Sequence, residues 1–336
     1  MRFFTKVIGV ISIIMLIYIL GPNPTTPRYT KILPNVPQQL DSLEKYIQIQ
    51  ESSSHIKLNN EARIVWNNDS VKQITEYALV YLHGFSASQE EGNPIHRNIA
   101  KKFGCNLYLA RLACHGIDTT EELINMTAEK LWESAKQALA IGKQLGKKVI
   151  LMGTSTGGTL ALKLAAEYPE VSANILYSPN IAIKDPNAWL LNNSWGLQIA
   201  RLVKGSDYNI VKADTNLYKK YWNEKYRLEA TVQLEELLET TMNKETFKNV
   251  QQPTLALYYY KDEQHEDKVV SIDAIKEMMQ EISTPTSLKR TIALPNVANH
   301  VLASPILSKD IVSVENETTK FLEEVLKLKV KEPKSQ

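Results

Sequence analysis

Between a strand-like apolar run, Lys148-Val-Ile-Leu-Met152, and an Ala/Leu-rich helical segment, Gly157 to Tyr168, stands Gly153-Thr-Ser-Thr-Gly157. No other stretch restricts the fold as much. A serine on a sharp strand-to-helix turn is held in a strained backbone conformation, and its hydroxyl stands proud of the sheet edge. Glycines two before and two after it leave room for the turn and for close approach of strand and helix. The helix N-terminus brings backbone N–H groups and the positive end of a dipole beside any charge that develops there. Pro169 then stops the helix.

The surrounding sequence supplies the context such a turn requires. Strands are expected at 78–82, 106–112, 148–152, 172–177, 254–258 and 291–294. Helices are expected at 94–103, 127–145, 157–168, 272–282 and 311–328. This alternation predicts an α/β protein with a mostly parallel central sheet flanked by helices. Residues 181–252 break the pattern. They contain no convincing strand, read as helices, and are rich in aromatics such as Trp189, Trp195, Tyr218 and Trp222. The expected division is therefore a core at 41–180 and 253–336, with 181–252 as a helical insertion.

At roughly 150 residues per domain, 336 residues suggest about two domains; the alternation instead predicts one domain interrupted by an insertion. A charge near +2 gives no case for a nucleic-acid partner, which needs a concentrated basic face. No Cys/His cluster has zinc spacing; no metal is expected, and no organic cofactor. Cys105 and Cys114 flank an expected strand, about 30 Å apart when extended, and are expected to be unpaired.

The N-terminus reads differently. Val7 to Leu20 carries no charge, follows Arg2 and Lys6, and ends in Gly21-Pro22, a poor cleavage site. Residues 1–20 are expected to form a signal anchor, or alternatively a cleaved signal peptide. Either way the body would lie on the non-cytoplasmic side, membrane-anchored or released. Residues 21–40, with five prolines, read as a stiff extended spacer.

Several residues carry candidate chemistry. Leu82-His-Gly-Phe-Ser86 ends an early strand, where a loop can offer a second oxyanion donor beside the one at the serine turn. The expected donors are the backbone N–H groups of Phe85 and Thr156, with the His83 side chain fixing the loop. Of the histidines, only His265 and His300 follow Ser155. His300 lies in a loop after the last strand, at the sheet edge that also carries Ser155, and is the expected base. His265 reads as a solvated loop residue. The acid should follow the strand at 254–258, where Asp262, Glu263, Glu266 and Asp267 compete. Asp267 is preferred because Val269-Val270 can bury it, and Asp262 is the alternative.

Taken together, Leu82-His-Gly-Phe-Ser86, Ala110-Arg-Leu-Ala-Cys-His-Gly116, Gly153-Thr-Ser-Thr-Gly-Gly158, Asp267-Lys-Val-Val270 and Asn299-His300 resemble the α/β-hydrolase superfamily, most closely its monoacylglycerol lipase and carboxylesterase branch. The resemblance covers about residues 76–325. It implies Ser155, Asp267 and His300 as a catalytic triad, Phe85 and Thr156 as oxyanion donors, a structural His115, and 181–252 as a lid. It further implies a serine esterase or lipase that acts on a small-molecule ester, here an apolar acyl or aryl one given the aromatic insertion. A thioesterase or acyltransferase would use the same triad, and a membrane-tethered, catalytically silent binding protein is the reading from a different class. The sequence departs from the family in three places: Thr156 stands where a larger apolar residue is usual, the stretch from Tyr260 to Asp267 is longer than the usual link to the acid, and the lid has no recognisable pattern, so substrate choice does not transfer.

Overall fold

A computed structural model describes residues 2–52, 55–212 and 215–331. Met1, residues 213 and 214 of the insertion, and 332–336 at the end of the expected core lie outside them. The chain opens with helix α1 (Arg2–Ile19), then α2 (Leu40–Ser52). The core follows as β1 (Arg63–Val65), β2 (Thr75–Leu82), α3 (Ile95–Phe103), β3 (Asn106–Leu109), α4 (Ala128–Leu145), β4 (Gly146–Thr154), α5 (Thr156–Glu167) and β5 (Val171–Tyr177). The insertion holds α6 (Gly196–Lys204), β6 (Tyr208–Ile210), α7 (Asn216–Tyr221), β7 (Lys225–Arg227), α8 (Leu228–Thr241) and α9 (Lys244–Asn249). The core resumes with β8 (Thr254–Tyr259), α10 (Ile272–Glu281), β9 (Lys289–Leu294) and α11 (Ile311–Glu324).

The main sheet has the order β1-β3-β2-β4-β5-β8-β9. Only the β1–β3 pairing is antiparallel. Apolar runs such as Val149-Ile-Leu-Met152 suit strands covered on both faces. Successive residues of β2 serve opposite layers. Ala78, Val80 and Leu82 join the core beneath α4 and α5, while Leu79 and Tyr81 join the core beneath α3 and α11. Helix α4 starts where the Thr127 hydroxyl accepts from the Lys130 N–H, and it buries Leu131, Trp132, Ala135 and Leu139.

The insertion departs from the all-helical reading. Strands β6 and β7 pair antiparallel over three residues each, as a separate ribbon. Segments this short show no alternation that a sequence pattern could register. Two further elements, α2 and β1, were likewise not predicted.

The N-terminal segment also departs from expectation. Residues 22–38 are not a free spacer but a strap laid on the body. Its carbonyls accept from side chains of the core: Thr30 from the Trp132 indole at 2.8 Å, Lys31 from the Tyr168 hydroxyl at 3.0 Å, and Ile32 from the Lys136 ammonium at 2.9 Å. The Tyr29 hydroxyl meets Thr240 of α8 at 2.7 Å, and the Lys163 ammonium lies 4.5 Å from the Tyr29 ring centre. Preceding the strap, α1 is held by the insertion: the Trp195 indole donates to the Ile17 carbonyl at 2.9 Å. Among the described residues no helix is long and apolar enough to cross a membrane, so the anchor expected at residues 1–20 is not supported.

Candidate active site

Ser155 occupies the junction of β4 and α5 with φ 52° and ψ −118°. A positive φ is costly for a residue with a Cβ and persists only where its surroundings enforce it. Here they do. The Ser155 N–H donates to the Tyr177 carbonyl at 2.9 Å, and the Ser155 carbonyl accepts from Gly158, Thr159 and Asn180. The flanking glycines are required by contact: a Cβ on Gly157 would stand 1.9 Å from the Leu82 carbonyl oxygen, and one on Gly153 would stand 2.4 Å from Gly157. Strand and helix thus approach as closely as the glycine spacing predicts.

The loop after β2 comes to the same place. His83 and His115 fix it as neutral imidazoles. His83 Nε2 accepts from the Leu112 N–H at 3.0 Å, which leaves Nδ1–H to donate to the Gly84 carbonyl at 2.9 Å. His115 Nε2 accepts from the Ser86 N–H at 3.0 Å, and its Nδ1–H meets the Ala113 carbonyl. Burial pushes both well below the ordinary histidine range, His115 to about 4. The Phe85 and Thr156 N–H groups, by contrast, have no acceptor among the described hydrogen bonds. They remain available to a ligand beside Ser155.

His300 Nδ1 lies 2.7 Å from Asp267 Oδ2. Asp267 is fully buried, and its other oxygen accepts from the Val269 and Val270 N–H groups at 2.8 and 3.2 Å. Burial alone would raise the Asp267 carboxyl, but the His300 charge and these hydrogen bonds outweigh it and hold the group below its usual range. Burial likewise opposes protonation of His300. The charge and hydrogen bond of Asp267, with Glu91 adding to them, overcome that and raise it above 6.5.

Asp262 instead caps its own loop. It bonds His265 at 2.8 Å, with both side chains at least half exposed. The long link is a small outward excursion. Tyr260 bridges Glu266, and the Asp267 N–H returns to the Tyr259 carbonyl at 3.1 Å, so Asp267 sits at the end of β8.

Ser155, His300 and Phe85 line one cavity of about 500 Å³. The Ser155 hydroxyl and the His300 ring are not hydrogen-bonded to each other in this structure; such bonds often close only in the substrate complex. The insertion supplies much of the wall, with Ile183, Leu191, Val211, Tyr226 and Leu234. One site residue went unremarked in the sequence, Glu91 in the turn Gln89–Gly92; Trp222 after α7, noted there only as one of the aromatics of the insertion, also lines the cavity. Nothing in Ser88-Gln-Glu-Glu marks the last glutamate, and only the packing shows that Glu91 is buried. The two cysteines are free, as expected. Among the described residues no cluster of His, Cys, Asp or Glu could hold a metal ion.

The model of the family described as serine aminopeptidase, S33, matches residues 128–303. No curated protein matches the chain. Solved structures with a similar fold include a metagenome-derived lipolytic enzyme from work on LipS and LipT, with TM-score 0.62 and 17% identity over 80% of this chain and 99% of that one. The monoacylglycerol lipase of Paleococcus ferrophilus gives TM-score 0.57 and 14% identity over 78% and 97%. Est1E from Butyrivibrio proteoclasticus, in its ferulic acid complex, gives 0.55 and 14% over 80% and 95%. At these identities the likeness is one of fold.

Proposed function

We propose, starting from a chain that belongs to the S33 serine aminopeptidase family of α/β-hydrolases, that this protein is a serine-dependent carboxylic ester hydrolase acting on an apolar acyl or aryl ester. One observation carries the reading. A strained serine (φ 52°) opens onto the same cavity as a histidine whose far nitrogen is held 2.7 Å from a buried aspartate.

In this reading the Ser155 Oγ attacks the acyl carbon and passes its proton to His300 Nε2. Asp267 keeps the Nδ1 proton in place and offsets the charge of the imidazolium. The Phe85 and Thr156 N–H groups bind the oxyanion; losing one such donor costs about 3 kcal/mol in comparable sites. His300 returns the proton to the departing alkoxide. Water, activated by the same nitrogen, then releases the acid and restores Ser155.

The apolar wall of the insertion supports an apolar substrate and the role of 181–252 as a lid. The exposed apolar side chains of α1, such as Ile8, Ile11 and Leu16, support a lipid-associated location; fractionation of the full chain separates that from a released body.

The full chain should be labelled by a fluorophosphonate and Ser155→Ala should not. Turnover of p-nitrophenyl esters should rise with acyl length before the cavity limits it. Labelling that survives Ser155→Ala, or an aminoacyl arylamide hydrolysed faster than every ester, overturns the assignment.

A further inference from the structure

Glu91 is a carboxyl group with almost no exposure, 2%, in the wall of the cavity that holds Ser155 and His300. Its Oε2 accepts from the Gly84 N–H at 2.6 Å. Gly84 is wedged between that carboxyl and Ser155: a Cβ there would stand 2.9 Å from Glu91 Oε1 and 3.1 Å from the Ser155 Cβ. The next peptide along is the one whose N–H, that of Phe85, faces no protein acceptor. The carboxyl therefore fixes the peptide plane on which the aim of that donor depends. From the insertion, Trp222 lines the same cavity wall and favours the ionised form of that carboxyl, and the following Asn223 N–H donates to the Ser86 carbonyl at 2.8 Å.

We propose that Glu91 is a positioning residue for the reaction at Ser155, one that holds the oxyanion loop through the Gly84 N–H and presents to His300 a second carboxylate besides Asp267. The proposal rests on the hydrolase reading above. A buried acid with no such task would cost stability, and a glutamine or an apolar side chain would fill the position more cheaply.

The groups around the pair can be enumerated. His300 is faced by Asp267, from the loop after β8, and by Glu91. Glu91 is faced by His300, by Tyr81 of β2 and by Tyr218 of α7. Burial keeps both tyrosines protonated, Tyr218 up to about 12, so neither titrates where the enzyme would work. Burial is also the main influence on Glu91 and pushes it up to about 7, against the Gly84 N–H, His300 and Trp222. Its charge therefore develops through neutral pH and is complete on the alkaline side, where it favours the imidazolium.

The sign follows. His300 must be neutral to act as base, so activity rises with pH through the His300 ionisation. Removing the Glu91 charge makes His300 easier to deprotonate, and the acidic limb of the kcat/KM profile moves to lower pH. A residue that only filled space would leave the limb where it is.

Glu91→Gln and Glu91→Ala are compared in the full chain on one p-nitrophenyl ester, from mildly acidic to mildly alkaline pH. Both should show the limb at lower pH. The Ala variant, which cannot accept from Gly84, should lose at least about tenfold in plateau kcat with little change in KM. The Gln variant, which keeps an acceptor, should recover part of that loss. Should neither variant fold, Trp222→Phe removes the indole N–H that favours the ionised carboxyl while keeping a ring in place; it favours the neutral carboxyl and should move the limb the same way. An acidic limb that coincides with wild type in the folded Gln variant, or in Trp222→Phe, overturns the proposal. If Ser155 still takes the fluorophosphonate in those variants, the hydrolase reading survives that failure. If wild type neither labels nor hydrolyses esters, it is the hydrolase reading that fails.

Discussion

Two aspartates separated by one outward turn of chain have opposite surroundings. Asp262 has a half-exposed side chain and pairs with a histidine that is itself in solvent. Asp267 has no exposure, two backbone N–H donors and the His300 ring. Asp267→Asn should lower kcat by about 10³–10⁴-fold, because an amide presents the wrong partner to Nδ1–H. Asp262→Asn should leave steady-state kinetics close to wild type. Comparable losses from both, or from Asp262 alone, would contradict the pairing. The same geometry fixes a pH dependence. Asp267 raises His300, so the wild-type activity should fall on acidification through a midpoint above the ordinary 6.5. A kcat/KM profile with its acidic limb below that value would argue against an Asp267–His300 pair. At this scale the sequence was informative where the chain order of serine, acid and histidine limits the choice. It left Asp262 open because loop length does not reveal that Tyr260 and Glu266 bridge and draw Asp267 back to the strand end. Glu91 was illegible for a related reason: burial of a polar loop residue depends on what packs over it, here Trp222 from a segment far along the chain.

The turn between β4 and α5 makes a steric prediction. With a Cβ 1.9 Å from the Leu82 carbonyl oxygen, Gly157→Ala must push β2 and α5 apart. It should destabilise by roughly 3 kcal/mol or more and abolish activity even in the protein that folds. A variant with wild-type melting temperature and activity would show that the approach is not obligatory. The long core strands and helices were legible because both faces of a covered sheet and one face of each helix must be apolar. Period and burial then carry the same information. The insertion was legible only in outline. Its ribbon, β6 and β7, is three residues long on each side and is held by tertiary contacts such as those of Tyr208 and Arg227 with Glu121 rather than by local pattern.

At the scale of the whole molecule the strap joins pieces that are distant in sequence: the insertion, through Trp195 and Thr240, and the core, through Trp132, Lys136 and Tyr168. Deleting residues 1–20 should leave the melting temperature nearly unchanged. Deleting 1–40 should lower it by roughly 6 °C or more. That deletion strands the Trp132 indole and the nearly unexposed Lys136 ammonium, a loss of about 3 kcal/mol for several hydrogen bonds and their apolar cover. Equal melting temperatures for the two truncations would show the strap to be a passive tail. Proline content alone predicted its extended shape but not its docking, since the residues that receive it lie beyond position 130.

The strap is attached at single successive points, from Pro22 against Trp195 to Ile32 against Lys136, with no strand pairing along its length. Tension applied at the N-terminus therefore meets these attachments one after another, as a zip is opened, whereas the paired strands of the main sheet share a load. A pull on the first helix would release the Trp195 contact of the insertion early, while the sheet that carries Ser155 and Asp267 is still intact. The chain thus has a mechanical weak seam, and it runs from the insertion to the back of the core, apart from the cavity that holds Ser155 and His300.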